Sequence, residues 1–220
     1  MKVAAGFFSF TEITDPGAHR AYNEWHMLDH MPEQFPLPGV VFGQRWVLPP
    51  EHVSAMVADV PLDRVHYVTM YLMTEPLQST LDDFAALGAA LHATPGRWFE
   101  ERRSHLSGPW SLADTVANHE VVIRSEAIPA RPHRSLHVQV GGAVDVGARA
   151  GQPGVVGAFR FEAAPDIAAR RRGRIGADAD IVVTWCDDVV LDRFEAPGAM
   201  FAATLLPISP WRWDWFESEA

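Results

Sequence analysis

A short stretch of the sequence recurs 115 residues further along the chain, and this internal repeat constrains the fold more than any other feature. Residues 38–46 read PGVVFGQRW, and residues 153–161 read PGVVGAFRF. The same spacing aligns VTMY at 68–71 with VTWC at 183–186. Self-similarity at a fixed spacing is typical of repeated structural units. The sequence therefore predicts a tandem duplication.

The first unit shows strand and helix patterns in the order β-α-β-β-α-β. The predicted elements are a strand over 2–11, a helix from 16 to 29 or 31, strands over 40–48 and 66–74, a helix over 77–104 and a strand over 119–127. This order is that of a ferredoxin-like unit. The second unit starts near Leu136 and leaves little room for a first helix, so we expect a degenerate copy.

The two predicted units divide the chain at residues 1–127 and 128–220. Two prolines and two arginines interrupt the pattern within IPARPHR at 128–134, which favours a boundary there. Each unit leaves one sheet face uncovered, and the two faces can cover each other. The predicted fold class is therefore α+β, with tandem ferredoxin-like βαββαβ repeats that form an α/β barrel. A cavity between the two sheets would be the natural small-molecule site.

Charge and composition exclude several classes of function. The formal net charge of −10 disfavours nucleic acid and anionic membranes as partners. The single cysteine, Cys186, cannot form an internal disulfide, which favours a cytoplasmic protein. No apolar stretch approaches the roughly 20 residues that span a bilayer. The basic run RRRGR at 170–174 is interpreted as a solvated turn.

Residues 22–46 resemble one known superfamily. The segment YNEWHMLDHMPEQFPLPGVVFGQRW is similar to the dimeric α/β-barrel superfamily, in particular EthD-like and related uncharacterised bacterial proteins. The matching positions are Trp25, His30, Pro32, Glu33, Pro38, Gly39 and Arg45. His26 stands where that family has an aromatic residue. The resemblance implies a barrel that binds a small organic molecule, a possible homodimer, and an activity among cofactor-free isomerases, cyclases, monooxygenases and haem proteins.

Three residues are predicted to be catalytic: His30, His26 and Glu33. The resemblance implies that His30 faces the cavity, where a histidine can exchange a proton with substrate. His26 lies one helical turn earlier on the same face. Glu33 would orient a histidine or act as a second acid or base, and its alternative is a solvated carboxylate after the helix. The alternative for His30 is a cap on the helix carbonyls, and the alternative for His26 is packing.

Five further residues are predicted to bind substrate, namely Arg45, Tyr22, Trp25, Tyr67 and Tyr71. Arg45 would hold a carboxylate or an enolate-like oxygen through its planar guanidinium, or pair with Glu33. Tyr67 and Tyr71 share one face of their strand and could donate hydrogen bonds to an oxyanion.

The leading hypothesis is an enzyme that uses acid/base chemistry without a cofactor, of the isomerase, cyclase or dehydratase/lyase type, on a small apolar organic ligand. A haem-binding or oxidative, monooxygenase-like barrel is the first alternative, with His92 or His105 as axial ligand. A divalent metal on His26 and His30 would need a third ligand from Asp29, Glu33 or His66, so no metal site is predicted. A non-catalytic ligand-binding protein is the remaining alternative.

The C-terminal segment contains three alternating tryptophans, Trp211, Trp213 and Trp215, a pattern that predicts a half-buried strand.

Overall fold

A closed β-barrel with helices on its outside forms the centre of the structure. The computed structural model describes residues 2–191 and 194–217. Over these residues the strands are β1 (Val3–Ile13), β2 (Val40–Val47), β3 (Val57–Ala58), β4 (Tyr67–Thr74), β5 (Arg102–Ala117), β6 (Ser135–Gly141), β7 (Val155–Glu162), β8 (Arg172–Gly173), β9 (Ile181–Cys186) and β10 (Ala199–Pro207). The short strands β3 and β8 pair with β10 and β5, and the other strands form the ring.

The ring is antiparallel throughout, and its two halves use the same order of strands. The first half runs β5-β1-β4-β2, and the second half runs β10-β6-β9-β7. In both halves the fourth main strand therefore lies beside the first, followed by the third and the second. Pairing of β5 with β7 and a short pairing of β10 with β2 close the barrel.

The repeated Pro-Gly-Val-Val sequence forms the same turn in both halves. Gly39 and Gly154 have φ angles of 88° and 74°, in the left-handed region that favours glycine. The carbonyl of Gly39 accepts a hydrogen bond from the amide of Thr74 at 2.9 Å, and that of Gly154 accepts one from Asp187 at 2.9 Å. The sequence repeat thus marks equivalent entries into β2 and β7.

Apolar side chains fill the interior of the barrel. On β4 the alternation of side chains turns Val68, Met70 and Leu72 inward and Tyr67 and Tyr71 outward. The largest inward side chains come from all parts of the ring: Phe8, Phe10, Trp46, Trp110, Phe159, Phe161, Trp185 and Phe201. The expected cavity between the sheets is therefore occupied by packed side chains, as in other small barrels.

The helical segments lie on the outside of the ring. The helices are α1 (His19–Trp25), which continues into a π-helical turn (His26–His30), α2 (Leu77–Ala93) and α3 (Val146–Ala150). Short 3-10 turns occupy Pro16–Ala18, Pro32–Gln34, Pro50–Ala55, Leu62–Arg64, Ser125–Ala130 and Pro165–Arg170. The carboxylate of Asp15 caps the first of these by accepting from the amide of Gly17 at 2.9 Å. No helix of the described residues is long and apolar enough to cross a membrane.

Two predicted elements at the end of the first unit are wrong. The helix predicted over 77–104 ends at Ala93, because Pro95 and Gly96, with a φ of 76° at the glycine, turn the chain. The chain after this turn forms β5, whose first part pairs with β1 and whose last part pairs with β7. The strand predicted over 119–127 is therefore a loop and a 3-10 turn.

The structure also corrects two predictions in the second half. The alternating tryptophans at 211–215 lie in turns beyond β10, with Trp211 exposed and Trp213 buried. The basic run at 170–174 is only partly solvated. Its second residue, Arg171, is buried, and Arg172 begins the short strand β8 on the edge of β5.

Candidate functional site

A pocket of about 390 Å³ lies outside the barrel, between the outer face of the first half and its helices. Strands β1, β4 and β5 form its floor, and α2 and the π-helical turn form its walls. The lining residues are Phe7, Ser9, His26, His30, Gln34, Thr69, Tyr71, Leu81, Phe84, Ala85, Gly88, Trp98, Arg102, Ser104, Ser107, Pro109, Ala169, Arg170 and Arg172. Its volume falls within the range of small-molecule sites.

The π-helical turn brings His26 and His30 onto one face. The amide of Met31 donates to the carbonyl of His26 at 2.8 Å, five residues back. The two imidazole rings lie 5.0 Å apart between centroids, with an angle of 77° between their planes. Single π-helical turns inside α-helices frequently lie at functional sites. Both rings line the pocket, as the sequence predicted for a shared helix face.

Aromatic rings and positive charges surround His30. Its ring stacks on Trp25 at 4.6 Å and lies edge-on to Trp98 at 6.2 Å. Burial, together with the positive charges of Arg102 and Arg45, lowers the pKa of His30 to about 3. His30 is therefore neutral at physiological pH. Its Nδ1 atom is buried and has no hydrogen-bond partner among the described residues, so this nitrogen does not cap the helix.

His26 is more deeply buried than His30. Burial, with the nearby charge of Arg45, holds the pKa of His26 well below its usual value. The Nδ1 atom of His26 also lacks a hydrogen-bond partner within the described part of the chain. Buried polar atoms are normally hydrogen-bonded, and each exception needs an explanation. Two adjacent neutral imidazoles with unused nitrogens are consistent with a site that a ligand completes.

Arg102 is the charged residue at this end of the pocket, and the sequence analysis missed it. It is the first residue of β5 and was assigned to a helix that does not extend so far. Its guanidinium lies 4.0 Å from the ring centroid of Trp98 and 5.4 Å from that of Trp25. Burial lowers the pKa of Arg102, and no carboxylate of the described residues pairs with it. A half-buried cation without a counter-ion favours an anionic or electron-rich ligand.

Tyr71 supplies a hydroxyl group to the same pocket. Burial raises the pKa of Tyr71, so its phenol stays protonated and can donate a hydrogen bond. The hydroxyl oxygen has no partner among the residues that the structure describes, nor has that of Thr69 beside it. Gly43, on the neighbouring strand, makes room for the Tyr71 ring, since a Cβ there would lie 2.8 Å from it.

Arg45 lies behind the pocket rather than in its lining. Its side chain is 1% exposed, and Nη2 donates to Oδ1 of Asn23 at 2.9 Å. Nδ2 of Asn23 donates in turn to the hydroxyl of Tyr67 at 2.9 Å. The guanidinium also lies 4.8 Å from the ring of Tyr22. Arg160, which the repeat aligns with Arg45, is half-exposed and paired with an aspartate, so the two arginines have different roles.

Glu33 does not line the pocket and does not reach a histidine. Its Oε1 atom accepts a hydrogen bond from Arg97, and Asp29 binds the same guanidinium at 2.7 Å. The predicted alternative of a Glu33–Arg45 pair is therefore wrong. Within the described ranges no group of three His, Cys, Asp or Glu side chains could hold a metal ion, so the third ligand required by the metal alternative does not assemble.

The two histidines named for the haem alternative lie outside the pocket. His92 is exposed near the end of α2, with its ring edge-on to Trp98 at 4.8 Å. His105 points to Glu12, with 2.8 Å between Nε2 and the carboxylate oxygen.

The structure brings part of the predicted site together. His26, His30 and Tyr71 line one pocket, whereas Tyr22, Trp25, Arg45 and Tyr67 form the layer behind it. The sequence analysis missed four lining residues because they lie on segments that it misassigned: Trp98, Arg102, Arg170 and Arg172. Ser9 and Thr69 also line the pocket, on strands that were correctly predicted, but the pattern did not single them out as site residues.

Comparison with known proteins supports the fold. No family model and no curated protein matches the chain. Among solved structures, the chain is similar to an anthrone oxidase-like protein, with a TM-score of 0.54 and 12% identity over 94% of this chain and 92% of that one. A putative chlorite dismutase gives a TM-score of 0.46 and 8% identity over 94% of this chain and 96% of that one. The chain thus has the barrel fold of the first structure.

Proposed function

We propose that this protein is an enzyme that moves protons on a small, mainly apolar molecule without a cofactor. The reaction would be of the isomerase, cyclase or dehydratase/lyase type and would take place in the outer pocket rather than inside the barrel. One observation carries the proposal. The neutral imidazoles of His26 and His30 share a largely apolar pocket with the unneutralised guanidinium of Arg102.

His30 is the proposed base. A neutral imidazole can take a proton from a carbon next to a carbonyl group and return it to another carbon, which gives isomerisation. The low pKa of the free residue opposes this transfer in the empty pocket. The negative charge that forms on the substrate raises that pKa as the proton moves, because an adjacent anion stabilises imidazolium. His26 lies close enough to relay or receive the same proton.

Arg102 and Tyr71 are the proposed groups that stabilise the oxyanion. Removing a proton beside a carbonyl group puts negative charge on the carbonyl oxygen. Arg102 supplies a fixed positive charge, and Tyr71 supplies a protonated hydroxyl group in the same pocket. Fixed donors in a site with little water stabilise such charge strongly. Arg45 adds positive potential from the layer behind them.

An oxidative activity is the second candidate. One solved structure with the same fold is described as anthrone oxidase-like, and proton removal next to an oxygen-bearing ring would also begin such a reaction. The same residues would serve it, with His30 as base.

At finer detail, we propose that the chain is a tandem ferredoxin-like duplication related to EthD-like proteins, which the repeated strand order and Pro-Gly turn support.

Deuterium exchange into 2-tetralone tests the proposed function without knowledge of the natural substrate. This bicyclic ketone has acidic C–H groups beside its carbonyl, and NMR in D₂O reports their exchange. We expect the protein to accelerate exchange above the buffer rate, and we expect His30→Gln to reduce the acceleration by about 10²–10⁴-fold. His92→Gln, at the exposed end of α2, is the matched control and should retain it.

The outcomes separate the candidate functions. Undiminished exchange in His30→Gln would contradict the role of His30 as base. Binding of 2-tetralone with no exchange in the unaltered protein would overturn the enzyme proposal and support a non-catalytic ligand-binding protein.

A further inference from the structure

The pocket carries positive charge at both of its ends. Arg102 lies at one end, beside the histidines, and Arg170 and Arg172 lie near the other, where β8 meets β5. The described lining residues include no aspartate or glutamate, although the formal net charge of the chain is −10. Local positive charge on an acidic protein concentrates anions at that place.

The two ends are separated along strand β5. Arg172 pairs with Ser107, which lies five residues beyond Arg102 on the same strand. At about 3.3 Å per residue this corresponds to roughly 17 Å along the floor of the pocket. Both arginines line the pocket and their side chains occupy part of this length, so the space between them suits a molecule of about two fused rings.

Arg172 is the arginine available to a ligand at the outer end. Arg170 is held by Asp82 of α2, with 2.6 Å between nitrogen and oxygen. Nη1 of Arg172 donates only to the backbone carbonyls of Ala169 and Arg171, at 3.1 and 3.4 Å. No carboxylate of the described residues pairs with Arg172, which is exposed at the mouth of the pocket.

The α2 side of the space between the arginines is apolar, whereas the floor carries the hydroxyl groups of Ser9, Ser104 and Ser107. Phe7 of β1 packs against Phe84 of α2 with 4.7 Å between ring centroids, and Leu81 lies beside them. Gly88 faces open space, because a Cβ at this position would meet no atom within 4 Å. This side of the pocket therefore suits the flat face of a hydrocarbon ring system.

We propose that the substrate is an elongated aromatic or fused-ring carboxylate. Its reacting oxygen lies at Arg102 and His30, and its carboxylate remains at the mouth on Arg172. This inference rests on the proposed function for the inner end, whereas the outer end is a separate recognition element that selects the anion.

Three related probes test the two ends separately. They are 6-hydroxy-2-naphthoate, its methyl ester, which lacks the free carboxylate, and 2-naphthoate, which lacks the hydroxyl group. Affinities measured by calorimetry should favour the free acid over the ester by about three- to ten-fold, the usual range for one partly exposed charged hydrogen bond. Arg172→Gln should remove this preference and leave the affinity for the ester unchanged.

Matched variants make the result specific. Arg174→Gln removes a neighbouring arginine that does not line the pocket, and we expect it to preserve the preference for the acid. Arg102→Gln should weaken the two hydroxyl-bearing probes and spare 2-naphthoate.

An unchanged acid-to-ester ratio in Arg172→Gln would overturn the proposed carboxylate site, even if Arg102→Gln acts as expected. If Arg102→Gln does not weaken the hydroxyl-bearing probes but Arg172→Gln removes the preference for the acid, the result counts against the proposed function and supports the carboxylate site. If none of the probes binds, the substrate class is wrong.

Discussion

Replacing His30 with glutamine should make the protein less sensitive to acid. In the folded protein the pKa of His30 is about 3, and its ordinary value is 6.5. The unfolded chain therefore binds a proton that the folded chain does not bind. The resulting stability is fully present above pH 6.5 and is lost as the pH falls from 6.5 towards 3. Glutamine cannot titrate, so His30→Gln removes this contribution.

The size of the effect follows from the two pKa values. Between pH 7.5 and pH 5, a histidine with a pKa of 6.5 when unfolded and about 3 when folded lowers the free energy of unfolding by about 2 kcal/mol. Loss of the stacking contact with Trp25 lowers stability equally at both pH values. The difference in the free energy of unfolding between the two pH values therefore isolates the contribution of His30 protonation.

Urea unfolding at pH 7.5 and pH 5 measures this difference. We expect the unaltered protein to lose about 2 kcal/mol more than His30→Gln over this interval. His92→Gln, at an exposed position, should behave like the unaltered protein. Equal losses in His30→Gln and the unaltered protein would show that His30 is not buried as a neutral ring, and the proposed base would lose its physical foundation.

Three further predictions concern the wall formed by α2. Gly88→Ala should raise the free energy of unfolding by about 1 kcal/mol, whereas Gly96→Ala, where φ is 76°, should lower it by a similar amount in urea titrations. Leu81→Ala, at a side chain that is 3% exposed, should cost about 2–5 kcal/mol and weaken binding of 6-hydroxy-2-naphthoate in calorimetry. Asp82→Asn should leave stability nearly unchanged and tighten binding of the same acid, because it removes a competing carboxylate at the mouth. Weaker binding of this acid by Asp82→Asn would contradict the proposal that positive charge at the mouth of the pocket attracts the carboxylate.

The sequence predicted the parts of the fold that local patterns determine. The strands near 2–11, 40–48 and 66–74 are present within a few residues, because alternation and the Pro-Gly turn define them. The end of the first unit could not be predicted in this way. Residues 102–117 form a strand because β1 and β7 offer edges to pair with, and no local pattern carries that information.

The candidate site was predictable only where it depends on helical spacing. His26 and His30 share a face because they lie one turn apart. Tyr71 was predicted as a substrate-binding residue of a cavity between the sheets, whereas it lines the outer pocket. Predicting Arg102 as a site residue requires knowing where α2 ends. Predicting Arg172 requires knowing that β8 pairs with a strand distant in the sequence. The position of the pocket outside the barrel follows from how large side chains fill the interior, which only the closed sheet reveals.

The most direct test of the central claim is the protonation state of His30 when a ligand occupies the pocket. Long-range ¹H–¹⁵N NMR spectra of the histidine rings report it, recorded at pH 7 without and with 2-naphthol. We predict that His30 is neutral in the free protein and that its ring nitrogens shift towards the hydrogen-bonded or protonated form when the naphthol binds. His137, which has a similarly low pKa of about 3 in the second half of the barrel, should not change. Naphthol binding that leaves the His30 signals unchanged would contradict the account.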